Sequence, residues 1–158
     1  MSGKRILIVD DDPANCELIA YFLKSLGYRV ATAPDGSRAL NMDLDDDIEL
    51  VILDAHMPIY GGPDVLAKLR EKPFVRRIKF LALTADESLS LREEFERAGI
   101  DGFLTKPVDL TALRDEVTRL LPGQAQDESY LIRMMRAQGV DHIFDGAAID
   151  PRENLERN

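Results

Sequence analysis

The sequence predicts an α/β fold, an open five-stranded parallel sheet sandwiched between five helices. Three observations predict it. Short apolar runs of strand length recur at Ile6-Leu7-Ile8-Val9, Leu50-Val51-Ile52-Leu53 and Phe80-Leu81-Ala82-Leu83, with a weaker one at Phe103-Leu104. Runs that are apolar at every position suit parallel strands covered on both faces. Helical patterns lie between the runs, so strand and helix alternate five times in roughly 120 residues, and right-handed crossovers then build the layered sheet.

Each element has its own signal. After the first strand, Asp12-Pro13 reads as an N-cap with proline in the first turn. Leu18, Ile19, Phe22, Leu23 and Leu26 form an apolar stripe, and Gly27 closes that helix. In residues 28–33, Tyr28, Val30 and Thr32 alternate with Arg29 and Ala31, the pattern of a half-exposed edge strand. Residues 36–42 form a second, shorter helix. Pro63 opens a third, carrying Val65, Leu66 and Leu69. Residues 88–98 form a fourth, ended by Gly99, and Leu110, Leu113, Val117, Leu120 and Leu121 define a fifth.

The chain has 158 residues and weighs 17.7 kDa, which favours one ordinary domain with an appendage. Acids outnumber bases 29 to 20, giving a formal net charge of -9. Such a molecule repels nucleic acid and anionic lipid, so neither is an expected partner. Cys16 is the single cysteine, which excludes an intramolecular disulfide and a multi-cysteine zinc site, and its spacing places it on the buried side of the first helix. No apolar run approaches the roughly 18 residues of a membrane span and no signal peptide opens the chain, so a soluble, cytoplasmic protein is expected. Asp43, Asp45, Asp46 and Asp47 read as a solvated loop.

Pro122-Gly123 ends the repeating pattern, dividing the chain into a domain over 1–121 and an extension over 122–158. The extension is too short for an ordinary effector domain of roughly 50 residues or more. The chain therefore either stands alone or belongs to a longer protein. Residues 128–138 read as a short helix with Tyr130, Leu131, Met134 and Met135 on one stripe, followed by Gly139 and a polar, frayed end. A helix of roughly 11 residues is marginal alone in water. It is expected to dock on its own domain, or to act as a homodimer arm or partner-binding helix, with disorder as the remaining alternative.

The chemistry lies at the strand ends. In open parallel sheets, ligands bind beyond the carboxyl ends of the strands at the topological switch point. The first strand runs into Asp10-Asp11-Asp12 and the third ends at Asp54. If these strands are neighbours, the carboxylates converge, and each raises the others' pKa unless a cation sits among them. Hard oxygen ligands favour Mg2+. The fourth strand ends at Thr84, a hydroxyl donor, and the fifth at Lys106-Pro107, which brings an ammonium to the same rim. Such a site suits acceptance of a phosphoryl group, with Asp54 as nucleophile.

The segments ILIVDDDP (6–13), VILDAHMP (51–58) with Gly61 or Gly62, Leu83-Thr84-Ala85 and GFLTKP (102–107) together resemble a receiver domain of bacterial two-component response regulators. The resemblance implies a flavodoxin-like strand order 2-1-3-4-5. It implies Asp54 as phosphoacceptor, Asp11 and Asp54 as direct Mg2+ ligands, Asp10 acting mostly through water, and the backbone carbonyl of His56 as the third protein ligand. Thr84 and Lys106 would contact the phosphoryl oxygens. Phe103 occupies the switch aromatic position, commonly a tyrosine, and Lys106-Pro107 resembles the family's cis peptide. The implied function is a signalling phosphoacceptor, not a conventional enzyme, serving a histidine kinase or histidine phosphotransfer protein and an unidentified downstream protein. A phosphorylation-independent scaffold is the alternative, against which the complete set Asp10, Asp11, Asp54, Thr84 and Lys106 argues. A hydrolytic aspartyl phosphatase is disfavoured because the Asp10 to Ala14 run lacks the usual threonine and no cap insertion follows.

Overall fold

The computed structural model describes residues 5–42, 44 and 47–122. Its elements run β1 (Arg5–Val9), α1 (Pro13–Ser25), β2 (Arg29–Ala33), α2 (Gly36–Asn41), β3 (Ile48–Asp54), α3 (Gly62–Arg70), β4 (Lys79–Thr84), α4 (Leu89–Ala98), β5 (Gly102–Thr105) and α5 (Leu110–Leu120), with a 3-10 turn over Pro73–Arg77 before β4. The five strands pair in parallel in the order β2-β1-β3-β4-β5. Both the α/β fold and the order match the sequence reading.

The apolar runs work as continuous runs should. Ile6, Ile8, Leu50, Ile52, Leu81 and Leu83 point to one face and pack with α1 and α5. Their alternate neighbours Leu7, Val9, Val51, Leu53, Phe80 and Ala82 point to the other and pack with α2, α3 and α4. All twelve are no more than 1% exposed, so the three central strands form a rigid slab and strand polarity appears only where they end. β2 is a half-buried edge strand, paired on one side with β1, but its burial does not follow the expected alternation: Thr32 is exposed, whereas Val30 and Ala31 are both partly buried, each against one of the two cores.

Capping fixes where the helices begin. Asp12 accepts from Ala14 N at 3.1 Å, Asp35 from Arg38 N at 2.8 Å, Ser88 from Leu91 N at 3.4 Å and Asp109 from Thr111 N at 2.9 Å. Ser88 is thus the cap of α4 and not its first residue, and Met42 is the C-cap of α2. Gly62 opens α3, with Pro63 in its first turn. Gly27 sits at φ 97°, where a side chain would be strained, and turns the chain from α1 into β2.

Two further points differ from the sequence reading. Leu18 is 41% exposed, because the five-residue stripe is wider than the part of α1 that the sheet covers. The turn over Pro73–Arg77 was not anticipated, although Pro73 is suited to open it. Cys16 is buried as expected. Asp47 is exposed and pairs with Arg29 at 2.8 Å. Asp43, Asp45 and Asp46 lie outside the described residues, as do the extension from residue 123, the helix expected over 128–138 and the frayed end. Among the described residues no helix is long and apolar enough to cross a membrane.

Candidate functional site

The register of the sheet brings four strand ends to one rim. Val9 pairs with Leu53, so Asp10 and Asp54 follow side by side. Asp54 pairs with Leu83 and Thr84 with Thr105, which places Thr84 and Lys106 next along the rim. β2 leaves β1 on one side and β3 leaves it on the other, so the β1/β3 boundary is the switch point of the sheet. Among the described residues the buried polar side chains are Asp10, Ser25, Asp54 and Thr84. The Ser25 hydroxyl donates to Tyr21 O within α1, so the other three mark the site.

Carboxylate oxygens of Asp10, Asp11 and Asp54 lie within 4.8 Å of one another. Lys106 Nζ reaches Asp10 Oδ2 at 3.1 Å and Asp54 Oδ1 at 3.2 Å, bridging both buried acids. Asp10 is also held by Asp12 N at 2.9 Å and by the Asn15 side-chain amide. Lys106-Pro107 is cis. Gly62 is needed beneath the site: a Cβ there would lie 2.6 Å from Asp54 O and 2.7 Å from Phe95 Cζ.

Burial pushes the Asp54 carboxyl up to about 6, and the Asp10 charge adds to the shift. Lys106 opposes it without cancelling it. Burial alone would lower the Lys106 ammonium, but Asp54 and Asp10 together raise it, so it stays charged. Three carboxylates facing one ammonium leave an excess of two negative charges when all are ionised. A divalent cation balances that excess, and an all-oxygen ligand set suits Mg2+. The Cys16 thiol donates to Asp10 O at 3.3 Å, and burial, with the Asp10 and Asp12 charges, pushes it up to about 11, so it is no nucleophile.

The remaining expected residues lie around this centre. The exposed His56 imidazole is engaged by Asp86: its Nε2 meets Asp86 Oδ2 at 2.9 Å and ties the β3–α3 loop to the β4–α4 loop. The Ser88 N–H and His56 hold the Asp86 carboxyl below its usual range. Thr84 Oγ1 accepts from Asp86 N at 2.9 Å, so its hydroxyl oxygen is engaged by its own loop. Phe103 is half-buried against the α3/α4 side, edge-on to Phe95 at 5.8 Å between ring centroids. Asn15 escaped the sequence reading; its only signal is an amide in the first turn of α1, directly after the acidic run.

The comparisons with known proteins point the same way. The chain is 39% identical over 105 residues to the response regulator PleD of Caulobacter vibrioides, covering 66% of this chain and 23% of PleD. The chain thus spans less than a quarter of the length of that relative. The chemotaxis protein CheY4 of Vibrio cholerae superimposes with a TM-score of 0.71 at 27% identity, covering 75% of this chain and 99% of that one. The receiver domain of the sensor histidine kinase PA1611 of Pseudomonas aeruginosa has a TM-score of 0.69 at 31% identity, covering 76% and 98%, and holds a magnesium ion in its active-site cleft. The family described as response regulator receiver domain matches residues 6–118, and the chain belongs to it.

Proposed function

We propose that the chain is a phosphoryl-operated switch in which Asp54 accepts a phosphoryl group from a phosphohistidine of a histidine kinase or histidine phosphotransfer protein. The observation that carries this reading is Asp54 itself. It is 6% exposed, in contact with an ammonium, and crowded by two further carboxylates at the sheet's switch point. A carboxyl at about 6 is mostly ionised at neutral pH, and so able to attack.

In the proposed step an Asp54 oxygen forms a bond to phosphorus as the phosphorus–nitrogen bond breaks. The donor imidazole leaves with the electron pair and takes up a proton. Asp11 and Asp54 would hold Mg2+ directly, with the His56 carbonyl as a third ligand and Asp10 mostly through water. When bound, that ion offsets the negative charge of the phosphoryl oxygens. Lys106 stands where it can pair with the same oxygens, and the Thr84 hydroxyl can turn to donate to them. The new charge then shifts a two-state equilibrium at Thr84 and Phe103 and alters binding of a downstream protein.

A scaffold that works without phosphorylation needs none of this electrostatic crowding. Incubation with Mg2+ and acetyl phosphate should add a single phosphoryl group by intact mass. Asp54→Asn or excess chelator should prevent it. Labelling of Asp54→Asn to the parent's extent would overturn the assignment.

A further inference from the structure

The ring of Phe103 carries no hydroxyl, so packing alone decides where it rests. Two residues of α4 supply that packing. Phe95 meets it edge-on, and the Arg92 guanidinium lies over its face with Cζ 4.5 Å from the ring centroid. That is well inside the roughly 6 Å range of cation–π attraction. Arg92 Nε also donates to Glu96 Oε1 at 3.3 Å, one helical turn on, which orients the guanidinium along the helix.

Phe103 pairs with Ala82 and Thr105 with Thr84, so Phe103 sits one alternation below Thr84 on the same side of the β4/β5 ladder. A cavity of about 70 Å³ lies there, lined by Thr84, Asp86, Leu91, Arg92, Phe103 and Leu104. Thr84 and Arg92 therefore border the same empty space beside the ring. The stack belongs to the arrangement in which Thr84 Oγ1 still accepts from Asp86 N. The Thr84 hydroxyl can donate while its oxygen accepts, so it is a shift of the whole side chain toward a phosphoryl group on Asp54 that would stretch that bond and enlarge the space. A ring that shifts toward Thr84 changes its stacking on Arg92, whose guanidinium now lies 4.5 Å from the ring centroid.

We propose that Arg92 is a positioning residue whose guanidinium holds Phe103 in its resting place, so that phosphorylation at Asp54 must overcome an arginine–aromatic stack on α4. The inference rests on Asp54 being the phosphoacceptor and concerns how that site is regulated. By linkage, a contact made only in the resting state weakens a ligand of the switched state by up to the factor that the contact is worth. Exposed cation–π contacts are worth about 0.5–1 kcal/mol, so the factor is about two to five.

The test titrates the parent, Arg92→Met and Arg92→Lys with beryllofluoride, an acyl phosphate mimic, in saturating Mg2+, following amide shifts by NMR. Arg92→Met keeps an unbranched apolar stem without the cation and should bind about two to five times more tightly than the parent. Arg92→Lys retains a cation and should gain less. Thermal melts of Arg92→Met should fall by no more than a few degrees, the loss expected for a contact of about 0.5–1 kcal/mol on a side chain that is 59% exposed. Equal affinities for parent and Arg92→Met, weaker binding by Arg92→Met, or an equal gain in Arg92→Lys would overturn the proposal. A parent that binds no beryllofluoride would overturn the Asp54 reading, and this inference with it.

Discussion

Replacing Asp54 with asparagine should stabilise the fold in a pH-dependent way. The folded carboxyl titrates near 6, against an ordinary 3.8, chiefly because burial and the Asp10 charge oppose its ionisation. Below pH 4 both folded and unfolded chains hold the proton and Asp54 costs nothing. Between the two values the unfolded chain has lost the proton that the folded one keeps. Above 6 both are ionised, and the fold bears the full cost of the confined charge. Stability without divalent cations should therefore fall, on this residue's account, as pH rises from about 4 to about 6. At about 1.4 kcal/mol per pH unit the cost reaches about 3 kcal/mol. Urea unfolding in chelator at pH 4 and pH 7.5 measures it. The Asn variant should match the parent at pH 4 and exceed it at pH 7.5 by about 1–3 M in midpoint, given slopes of about 1–3 kcal/mol/M. Saturating Mg2+ should shrink the advantage, because the parent keeps the better cation site. A gain of equal size at both pH values, or a variant less stable at pH 7.5, would refute the reasoning.

Three further outcomes follow from the geometry. Asp11→Ala should weaken Mg2+ binding at least about tenfold by calorimetric titration, whereas Asp64→Ala on the exposed side of α3 should leave it unchanged, because only Asp11 belongs to the carboxylate cluster. His56→Ala and Asp86→Ala should each alter the lifetime of the phosphorylated protein, and the double variant should match either single, as expected for partners at 2.9 Å; decay at the parent's rate in both singles would remove them from the site. Gly62→Ala should destabilise the fold by about 1–3 kcal/mol in urea and slow labelling of Asp54, since the added methyl meets Asp54 O and the Phe95 ring.

The sheet and the centre of the site were legible in the sequence for a shared reason. Strands covered on both faces leave no position for polarity except their ends, so Asp10, Asp54, Thr84 and Lys106 stand out against apolar runs. What was not legible depends on contacts between distant segments. His56 and Asp86 are 30 residues apart, and nothing local says that their loops meet. Arg92 reads as an ordinary exposed helix residue until Phe103 is placed beneath it. Ile59 was opposed by its own chemistry: it takes φ 71° with a branched Cβ and is 82% exposed, in a loop where glycine or asparagine would be the usual reading.

The arrangement explains how a rigid fold can hold a responsive site. Leu7, Ile8, Val51, Ile52 and Leu81 are no more than 1% exposed and fix the strand ends in place. The polar and charged groups of the site lie at those ends or just beyond them, where side chains can change partners without breaking the sheet. Lys106 now divides its ammonium between Asp10 and Asp54, and Thr84 accepts from Asp86 N. The Lys106 contacts can be exchanged for ones to a phosphoryl oxygen at Asp54, and the Thr84 hydroxyl hydrogen can be donated to such an oxygen. In the β4–α4 loop that follows Thr84, Asp86 Oδ1 also accepts from Ser88 N at 2.8 Å, immediately ahead of α4. A charge change at Asp54 is therefore one exchange of partners away from the helix that carries Arg92 and Phe95, the two residues that hold Phe103.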